Sequence, residues 1–233
     1  MTEARFDSAL IVGAGAGLSA SLTRALTKDG IRVALAARTT DDLDALTRET
    51  GARAFACDAT KRAEVDQLFA DIETANGAPE IVIYNASYRT RGPVIDLDPA
   101  EVERSIAVSA FGGFLVGQQA ARRMLLKKHG AILFTGASAS VKGYAQSAPF
   151  AMGKFALRGL AQSMARELGP QGIHVAHMVI DGGIRSARRS EPADASDSLL
   201  DPDAIATTYL HVIRQPRGAW TAEIELRPWV EKF

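Results

Sequence analysis

The fold of this chain is decided by the run Ala9-Leu10-Ile11-Val12-Gly13-Ala14-Gly15-Ala16-Gly17. Its apolar residues predict a short buried strand, and its alternating glycines predict a tight turn. A helix is expected immediately afterwards, because Leu18, Leu22 and Leu26 fall on one face at the helical period. A strand, a glycine turn and a helix in this order predict the first unit of an alternating α/β fold.

The glycine turn can form an anion site from backbone groups alone. Gly13 permits a turn that a side chain would forbid, and Gly17 lets the main chain approach a bound group closely. The free amides and the positive dipole end of the helix favour negative charge, which suits a dinucleotide pyrophosphate. The spacing is G-x-x-x-G, with Ser19 where a third glycine could stand, and an ordinary tight turn is the alternative. The binding candidates are Gly13, Gly15, Gly17 and Leu18.

Composition restricts the class of protein. The 233 residues are 47% hydrophobic, which is enough for one α/β domain spanning 1–233. Lys and Arg together number 27, as do Asp and Glu, so no net charge attracts nucleic acid or an anionic membrane. The single cysteine, Cys57, cannot form an internal disulfide, and no signal peptide, membrane span or metal-binding cluster is recognisable. We therefore expect a cytoplasmic protein with no metal and no nucleic-acid or membrane partner.

Apolar runs alternate with amphipathic stretches along the chain. The expected strands are Ala9–Val12, Val33–Ala37, Ala52–Cys57, Ile81–Asn85, Ala131–Thr135, Ile173–Ile180 and Ala222–Leu226. Helices are expected at about 18–29, 41–50, 61–74, 99–128, 149–169 and 201–214. Strands that are almost wholly apolar are typical of a parallel sheet covered on both faces, so the pattern predicts a doubly wound, Rossmann-like α/β domain. Ligands of such sheets bind beyond the carboxyl ends of the strands.

The residues after the second strand concern the choice of coenzyme. A carboxylate there would bond an adenosine ribose and repel a 2′-phosphate, but the position is occupied by Ala37. Arg38 can grip a phosphate with its guanidinium, and the hydroxyls of Thr39 and Thr40 can assist. We therefore predict NADP(H) rather than NAD(H), with a solvated surface arginine as the alternative.

Polar residues also follow the third and fourth strands. Asp58, which precedes Ala59, can accept a hydrogen bond from an adenine amino group or cap the helix that begins near Lys61, and the sequence leaves both open. Asn85, followed by Ala86 and Ser87, can brace the adenosine end of the coenzyme or bond its own backbone in a turn.

Three later segments supply the remaining candidates. Ser138 follows the fifth strand and is expected above the sheet, near a bound nicotinamide. Phe150 and Lys154 share a helix face, with Lys154 expected near the wet, ligand-facing end. The segment Asp181–Ser186 follows the sixth strand, where backbone groups can grip the nicotinamide carboxamide. Its binding candidates are Gly183, Ile184 and Ser186.

Taken together, these features resemble the short-chain dehydrogenase/reductase family over nearly the whole chain. The matching pieces are Gly13-x3-Gly17, Cys57-Asp58, Tyr84-Asn85-Ala86-Ser87, the serine-bearing end of the fifth strand, Lys154 and Asp181–Ser186. The resemblance implies a seven-stranded parallel sheet, hydride transfer between a nicotinamide and a small-molecule substrate, and a homodimer or homotetramer formed through the two long central helices. It also implies that Ser138 lies near the reacting oxygen and that Lys154 binds the nicotinamide ribose.

The departures from the family pattern concern the proton. The family has Tyr-x-x-x-Lys, whereas this chain has Phe150-x-x-x-Lys154, and a phenyl ring cannot donate a proton. The family's asparagine in the fourth helix is Ser109 here, and Ser138 lies one residue closer to the aromatic position than the usual serine. Loss of general acid catalysis typically costs about 10²–10⁴ in rate, but positioning supplies a separate share of the acceleration. We therefore expect coenzyme binding with a degenerate catalytic tetrad.

Three functions remain open. In the first, a carbonyl reductase takes its proton from another donor: Ser138, Tyr144, Tyr88, or a water ordered by Lys154 and Ser109. In the second, the substrate is an activated C=C bond, and solvent protonates the enolate. In the third, the protein is an inactive NADP(H)-binding sensor or interaction protein. We expect reductase activity, and for Tyr144 a place at the rim of the site.

Two further segments have open interpretations. The stretch 185–197 is a candidate flap whose arginines either clamp an anionic substrate or are solvated and balanced by its acids, and we expect the second. These residues are Arg185, Arg188, Arg189, Glu191, Asp194 and Asp197. Trp220 and the tail Leu226–Phe233 either cover the sheet edge or pack on a sister subunit, and we again expect the second.

Overall fold

A computed structural model describes residues 5–187, 189–192 and 194–231. Within these ranges the chain forms one seven-stranded parallel sheet with the order β3-β2-β1-β4-β5-β6-β7. The strands are β1 Ser8–Val12, β2 Arg32–Ala37, β3 Arg53–Ala56, β4 Ile81–Tyr84, β5 Gly130–Thr135, β6 Ile173–Ile180 and β7 Glu223–Leu226. The parallel, doubly wound α/β fold expected from the alternating apolar runs is confirmed.

Helices cover both faces of the sheet. In the described part of the chain they are α1 Leu18–Lys28, α2 Asp44–Thr50, α3 Arg62–Asn76, α4 Pro99–Ile106, α5 Gly112–Lys127, α6 Ala148–Leu168 and α7 Pro202–Ile213. Successive residues of β1 point to opposite faces, so Ile11 belongs to the core with Leu22 and Tyr209, while Leu10 belongs to the core with Leu157. Burial of both faces explains why the strands are almost continuously apolar.

The long central helix expected over 99–128 is interrupted. A π-helical turn, Ala107–Phe111, separates α4 from α5. The Tyr84 hydroxyl on β4 donates to the Val108 carbonyl inside this turn, and a Cβ at Gly112 would lie 2.4 Å from the same hydroxyl. This long-range contact could not be read from the helical periodicity. The other element bounds differ from expectation by at most two residues, apart from a 3₁₀ turn that opens the helix expected over 41–50.

The strand order reverses between β1 and β4, which lie side by side at the centre of the sheet. In open α/β sheets the crevice beyond the carboxyl ends at such a switch point is where ligands bind. The glycine turn follows β1 at this point, and Asn85 follows β4. The topology therefore brings together two segments that are about 70 residues apart in the chain.

The two tryptophans of the aromatic tail, Trp220 and Trp229, lie in different surroundings. Trp220 stacks on His174 of β6 with ring centroids 4.8 Å apart, so its indole packs on this chain's own sheet. Trp229 is 76% exposed. Lys232 and Phe233 lie outside the described residues.

Candidate coenzyme-binding and active site

The turn after β1 requires glycine at its first position. Gly13 has φ = +84°, and a Cβ there would lie 2.4 Å from the Ala86 main-chain nitrogen. The N–H groups of Gly13 and Ala14 both donate to the Ala36 carbonyl of β2. Gly17 differs, because it is the N-cap of α1 without a side-chain cap, and a Cβ there would meet open space. The first glycine shapes the turn, and Gly17 leaves the start of α1 open to a cleft.

A chain of hydrogen bonds ties the glycine turn to the loop after β4. The Asn85 side-chain amide donates to the Ser19 hydroxyl at 2.8 Å, and that hydroxyl donates to the Gly13 carbonyl at 3.1 Å. Asn85 therefore reaches across the switch point instead of bonding its own backbone. Ser19, where a third glycine could stand, links the two loops into one unit.

A cleft of about 660 Å³ lies beside this turn, beyond the carboxyl ends of β1, β2 and β3. The predicted residues that line it are Gly13, Gly15, Arg38, Thr39, Asp58, Ala59, Asn85, Ala86 and Ser87. Arg38 and Thr39 are exposed, and Arg38 forms no ion pair with any described residue. The Arg38 guanidinium is therefore available to a phosphate that enters the cleft.

Asp58 does not cap α3, so that alternative from the sequence is wrong. The helix begins at Arg62 with Lys61 as its N-cap, whereas Asp58 accepts hydrogen bonds from the N–H and hydroxyl of Thr60 at 3.0 and 2.7 Å. Burial raises the pKa of Asp58, but the Thr60 hydrogen bonds and the charge of Lys61 outweigh it and hold the pKa below its ordinary value. An ionised carboxylate therefore stands at the cleft wall, where it can accept from an amino group.

A second cleft, of about 790 Å³, lies beyond the carboxyl ends of β4, β5 and β6. The predicted residues that line it are Gly17, Leu18, Asn85, Ser87, Ser138, Tyr144, Phe150, Lys154, Gly183, Ile184 and Ser186. Asn85 and Ser87 line both clefts, so the two meet at the switch point. Together they could accept the two halves of a dinucleotide.

Ser109 is the exception among the predicted residues, because it lines neither cleft. Its side chain is buried in the π-helical turn, and a Cβ at Gly153 of α6 would lie 2.7 Å from the Ser109 Cβ. The Ser109 hydroxyl has no hydrogen-bond partner among the described residues. The π-helical turn and α6 thus enclose Ser109, and its role in ordering a water with Lys154 stays a prediction.

Lys154 is buried, contrary to the expectation of a wet position. It is 2% exposed, and its ammonium donates to the Thr135 carbonyl at the end of β5 at 2.7 Å. Burial, and secondarily the charge of Arg89, lower its pKa to about 7. Desolvation disfavours the charged form of a lysine, and one carbonyl dipole does not compensate for it. Its burial therefore brings the pKa of Lys154 close to neutral pH.

The Phe150 ring lies close to two basic side chains, Arg89 and Lys154. The Arg89 guanidinium carbon is 4.1 Å from the ring centroid, and the Lys154 Nζ is 5.8 Å from it. A ring face attracts a cation through its quadrupole, and the attraction is stronger where water is excluded. Phe150 therefore holds Arg89 over the part of the cleft that contains Lys154.

The other proton-donor candidates divide between the two clefts. Ser138 begins a 3₁₀ turn after β5 and, like Tyr144, lines the second cleft. Tyr144 is about half exposed, as expected for a rim residue. Tyr88 lines the first cleft instead, and its hydroxyl donates to Glu101, which raises the pKa of Tyr88. Tyr88 is therefore bound elsewhere and not directed at Phe150.

The flap arginines are not balanced by the acids expected for them. Arg185 pairs with Asp201 at 2.8 Å, and the Glu191 carboxylate accepts main-chain N–H groups of Asp197 and Leu199. Arg189 lines the second cleft with Arg185, and Arg188 lies outside the described residues. Among the described residues, Arg185 and Arg189 are exposed, as expected for solvated arginines, but neither pairs with an acid of this stretch.

Sequence reasoning did not single out Arg89 and Arg91, two basic residues that line the second cleft. Both lie in the loop that follows β4, beyond the carboxyl end of a central strand. That position was the available signal, since ligand-binding residues of parallel sheets are found there. They were overlooked because they belong to no glycine or catalytic motif.

The described residues contain neither a metal-binding cluster nor a helix that could span a membrane. No group of three or more His, Cys, Asp or Glu side chains there is arranged to hold a metal ion. Nor does any described helix combine the length and apolar character that crossing a membrane requires.

Comparison with known proteins identifies the family. The family model for short chain dehydrogenase matches residues 7–195, and the chain belongs to that family. An uncharacterized oxidoreductase of Staphylococcus aureus is 26% identical over 98% of this chain and 100% of its own length. A short-chain dehydrogenase from Rhodopseudomonas palustris has a crystal structure with 32% identity and a TM-score of 0.82, covering 97% of this chain and 100% of that one.

A second solved structure contains a coenzyme. It is a metagenomic short-chain oxidoreductase in complex with NADP, 27% identical, with a TM-score of 0.83 and coverage of 96% of this chain and 98% of that chain. The resemblance to a family of nicotinamide-dependent oxidoreductases, inferred from the sequence, is thus confirmed at the level of family and nucleotide-binding fold.

Proposed function

We propose that this protein is an NADP(H)-dependent reductase that transfers a hydride to a small carbonyl compound or an activated C=C bond. The observation that carries the proposal is the junction of two clefts at Asn85 and Ser87, directly over the glycine turn. One cleft contains the adenosine-side candidates and the other contains Lys154 and Ser138. A dinucleotide that spans the junction would place its two ends in different chemical environments.

The residues present suit the coenzyme. A side chain at Gly13 would fill the turn, and the open space at Gly17 leaves room for a pyrophosphate against the first turn of α1. We assign the adenine amino group to Asp58 and the 2′-phosphate to Arg38 with Thr39, which favours NADP(H) over NAD(H). The bound coenzyme supplies the hydride. The relative solved with NADP supports this choice of ligand.

The proton is proposed to come from a group other than the side chain at position 150. In the family pattern a tyrosine stands four residues before the lysine, and Phe150 stands there in this chain. Lys154, with its pKa near 7, can hold or release a proton at neutral pH. Ser138 and Tyr144 line the same cleft and can pass that proton to a developing alkoxide, directly or through water.

An activated C=C substrate fits Phe150 equally well. Hydride adds to carbon in such a reaction, and the resulting enolate can take its proton from solvent. The open rim at Tyr144 gives water access to the cleft. This alternative requires no acidic side chain at the reacting centre.

A second candidate function is an inactive NADP(H)-binding sensor or interaction protein. The observation that favours it is Phe150, whose ring cannot donate a proton and carries Arg89 on its face. Such a protein would bind the coenzyme without turning over any substrate.

The test separates coenzyme binding from turnover. Calorimetry with NADPH and NADH should show binding, with NADPH preferred. NADPH oxidation should then be followed over aldehydes, ketones, imines and enoyl esters, with wild type and Phe150→Tyr in parallel. Turnover by wild type supports the reductase, and tight binding without turnover of any class supports the sensor. If Phe150→Tyr reduces carbonyls that wild type does not, the wild-type protein is not a carbonyl reductase.

We also propose a homodimer or homotetramer in the cytoplasm. Four apolar side chains of the π-helical turn, α5 and α6 are exposed: Phe111, Phe114, Met152 and Phe155 are 41–51% accessible. Burying such rings against a second copy would be favourable. Sedimentation should show a multimer that Phe114→Asp dissociates, and a monomeric wild type would contradict the assignment.

The cytoplasmic location is supported by the free, buried Cys57.

A further inference from the structure

We infer that the cleft at Phe150 receives a substrate with a terminal oxyanion, a carboxylate or a phosphate, bound by Arg89, Arg91 and Arg189. The inference rests on the proposed function, because it names the class of substrate reduced there. It does not depend on which group supplies the proton.

Three guanidinium groups converge on one cleft from different parts of the fold. Arg89 and Arg91 come from the loop after β4, and Arg189 comes from the stretch after β6. Burial, and then the charges of Arg91 and Arg189, lower the pKa of Arg89. Arg89 is exposed as a whole residue, and its guanidinium carbon lies 4.1 Å from the centroid of the Phe150 ring. The three charges are therefore close enough to repel one another.

The cleft contains little negative charge to balance them. Arg185, also in the cleft wall, is already paired with Asp201. Among the described residues, Arg89, Arg91 and Arg189 form no ion pair, and Glu231 is the one carboxylate that lines the cleft. Like charges that converge without counter-charge are unfavourable in the free protein, and an oxyanion would remove that repulsion.

The position of the arginines orients the anion toward the reacting centre. The Arg89 guanidinium carbon is 4.1 Å from the centroid of the Phe150 ring, and the Lys154 Nζ is 5.8 Å from the same centroid. The Arg189 guanidinium packs on Gly183, where a Cβ would lie 2.6 Å from its Nη1. An anion that bridges Arg89 and Arg189 would therefore link the loop after β4 to the stretch after β6, across the cleft.

The experiment measures binding without turnover. Protein saturated with NADP⁺ is titrated by calorimetry with benzoate, phenyl phosphate and the neutral isostere benzamide. At least one anion should bind tenfold or more tightly than benzamide, and its affinity should fall as salt is added. Comparison of benzoate with phenyl phosphate decides between a carboxylate and a phosphate.

The variants locate the anion. Arg89→Met and Arg189→Met should each weaken anion binding about tenfold, as expected for loss of a charge-assisted hydrogen bond, and leave benzamide unchanged. Arg189 is exposed, so its loss should not disturb folding. Arg48→Met is the matched control, because Arg48 is exposed on α2 and lines neither cleft.

Three results would overturn the inference. Benzamide could bind as well as both anions, or the anions could bind with Arg89→Met and Arg189→Met having no effect. The arginine variants could also weaken the binding of NADP⁺ and leave the binding of the anions unchanged. That result would assign the arginines to the coenzyme phosphates. If NADP⁺ itself does not bind, the proposed function fails, and the same titrations on coenzyme-free protein still decide whether the anion site exists.

Discussion

The free energy of unfolding should rise between pH 7.5 and pH 9.5 because of the proton that Lys154 loses on folding. Its ordinary pKa is 10.5, and burial lowers the folded-state value to about 7. Between these two values the unfolded chain binds a proton at Lys154 that the folded protein does not. The free energy of unfolding therefore rises with pH in this window, by about 2–3 kcal/mol between pH 7.5 and 9.5.

The assay is urea unfolding at the two pH values, at one protein concentration, for wild type and Lys154→Met. Wild type should gain stability relative to Lys154→Met by the stated amount, and Lys28→Met, which removes an exposed lysine, should behave as wild type. Every other titratable group is present in both wild type and Lys154→Met, so the difference between these two proteins isolates Lys154. Equal changes in wild type and Lys154→Met would refute the reasoning. Should Lys154→Met not fold, NMR titration of the labelled lysine side chain in wild type decides the pKa directly.

Three other predictions concern the glycine turn, the coenzyme and the thiol. Gly13→Ala should lower the free energy of unfolding by about 2 kcal/mol or more and abolish coenzyme binding, since its Cβ would meet Ala86 at a positive φ; unchanged melting and calorimetry would contradict this. Arg38→Ala should weaken NADPH binding about tenfold and leave NADH unchanged, and equal losses for both coenzymes would remove the 2′-phosphate assignment. Cys57, whose pKa burial raises to about 11, should react with a disulfide reagent at pH 8 only after unfolding, so rapid labelling of the folded protein would count against its burial.

Much of the site could be predicted because it lies at strand ends. Arg38, Asp58 and Asn85 were each found by position after a strand, and each lines a cleft. Their partners could not be predicted in the same way. The bond from Asn85 to Ser19 joins residues 66 positions apart, and no periodic pattern encodes a contact at that separation.

The burial of the candidate site residues is harder to predict from the sequence than their identity. Lys154 was expected in water because the helix periodicity shows which residues share a face but not how deeply the end of the helix is packed. The sequence also does not show that a π-helical turn and the close approach of α6 enclose Ser109. The burial of a side chain depends on contacts with helices and strands that are far apart in the chain. A single sequence does not show those contacts.

The sequence by itself determined the parallel sheet, the glycine turn and the presence of a phenyl ring, Phe150, four residues before Lys154. These are local properties: strand periodicity, a backbone conformation that only glycine adopts easily, and the identity of one side chain. Only the tertiary structure decided that Lys154 is dehydrated and that Arg89 and Arg189 share a cleft. Charge and solvation act through space, so their balance is set by the packing of loops that are far apart in the chain.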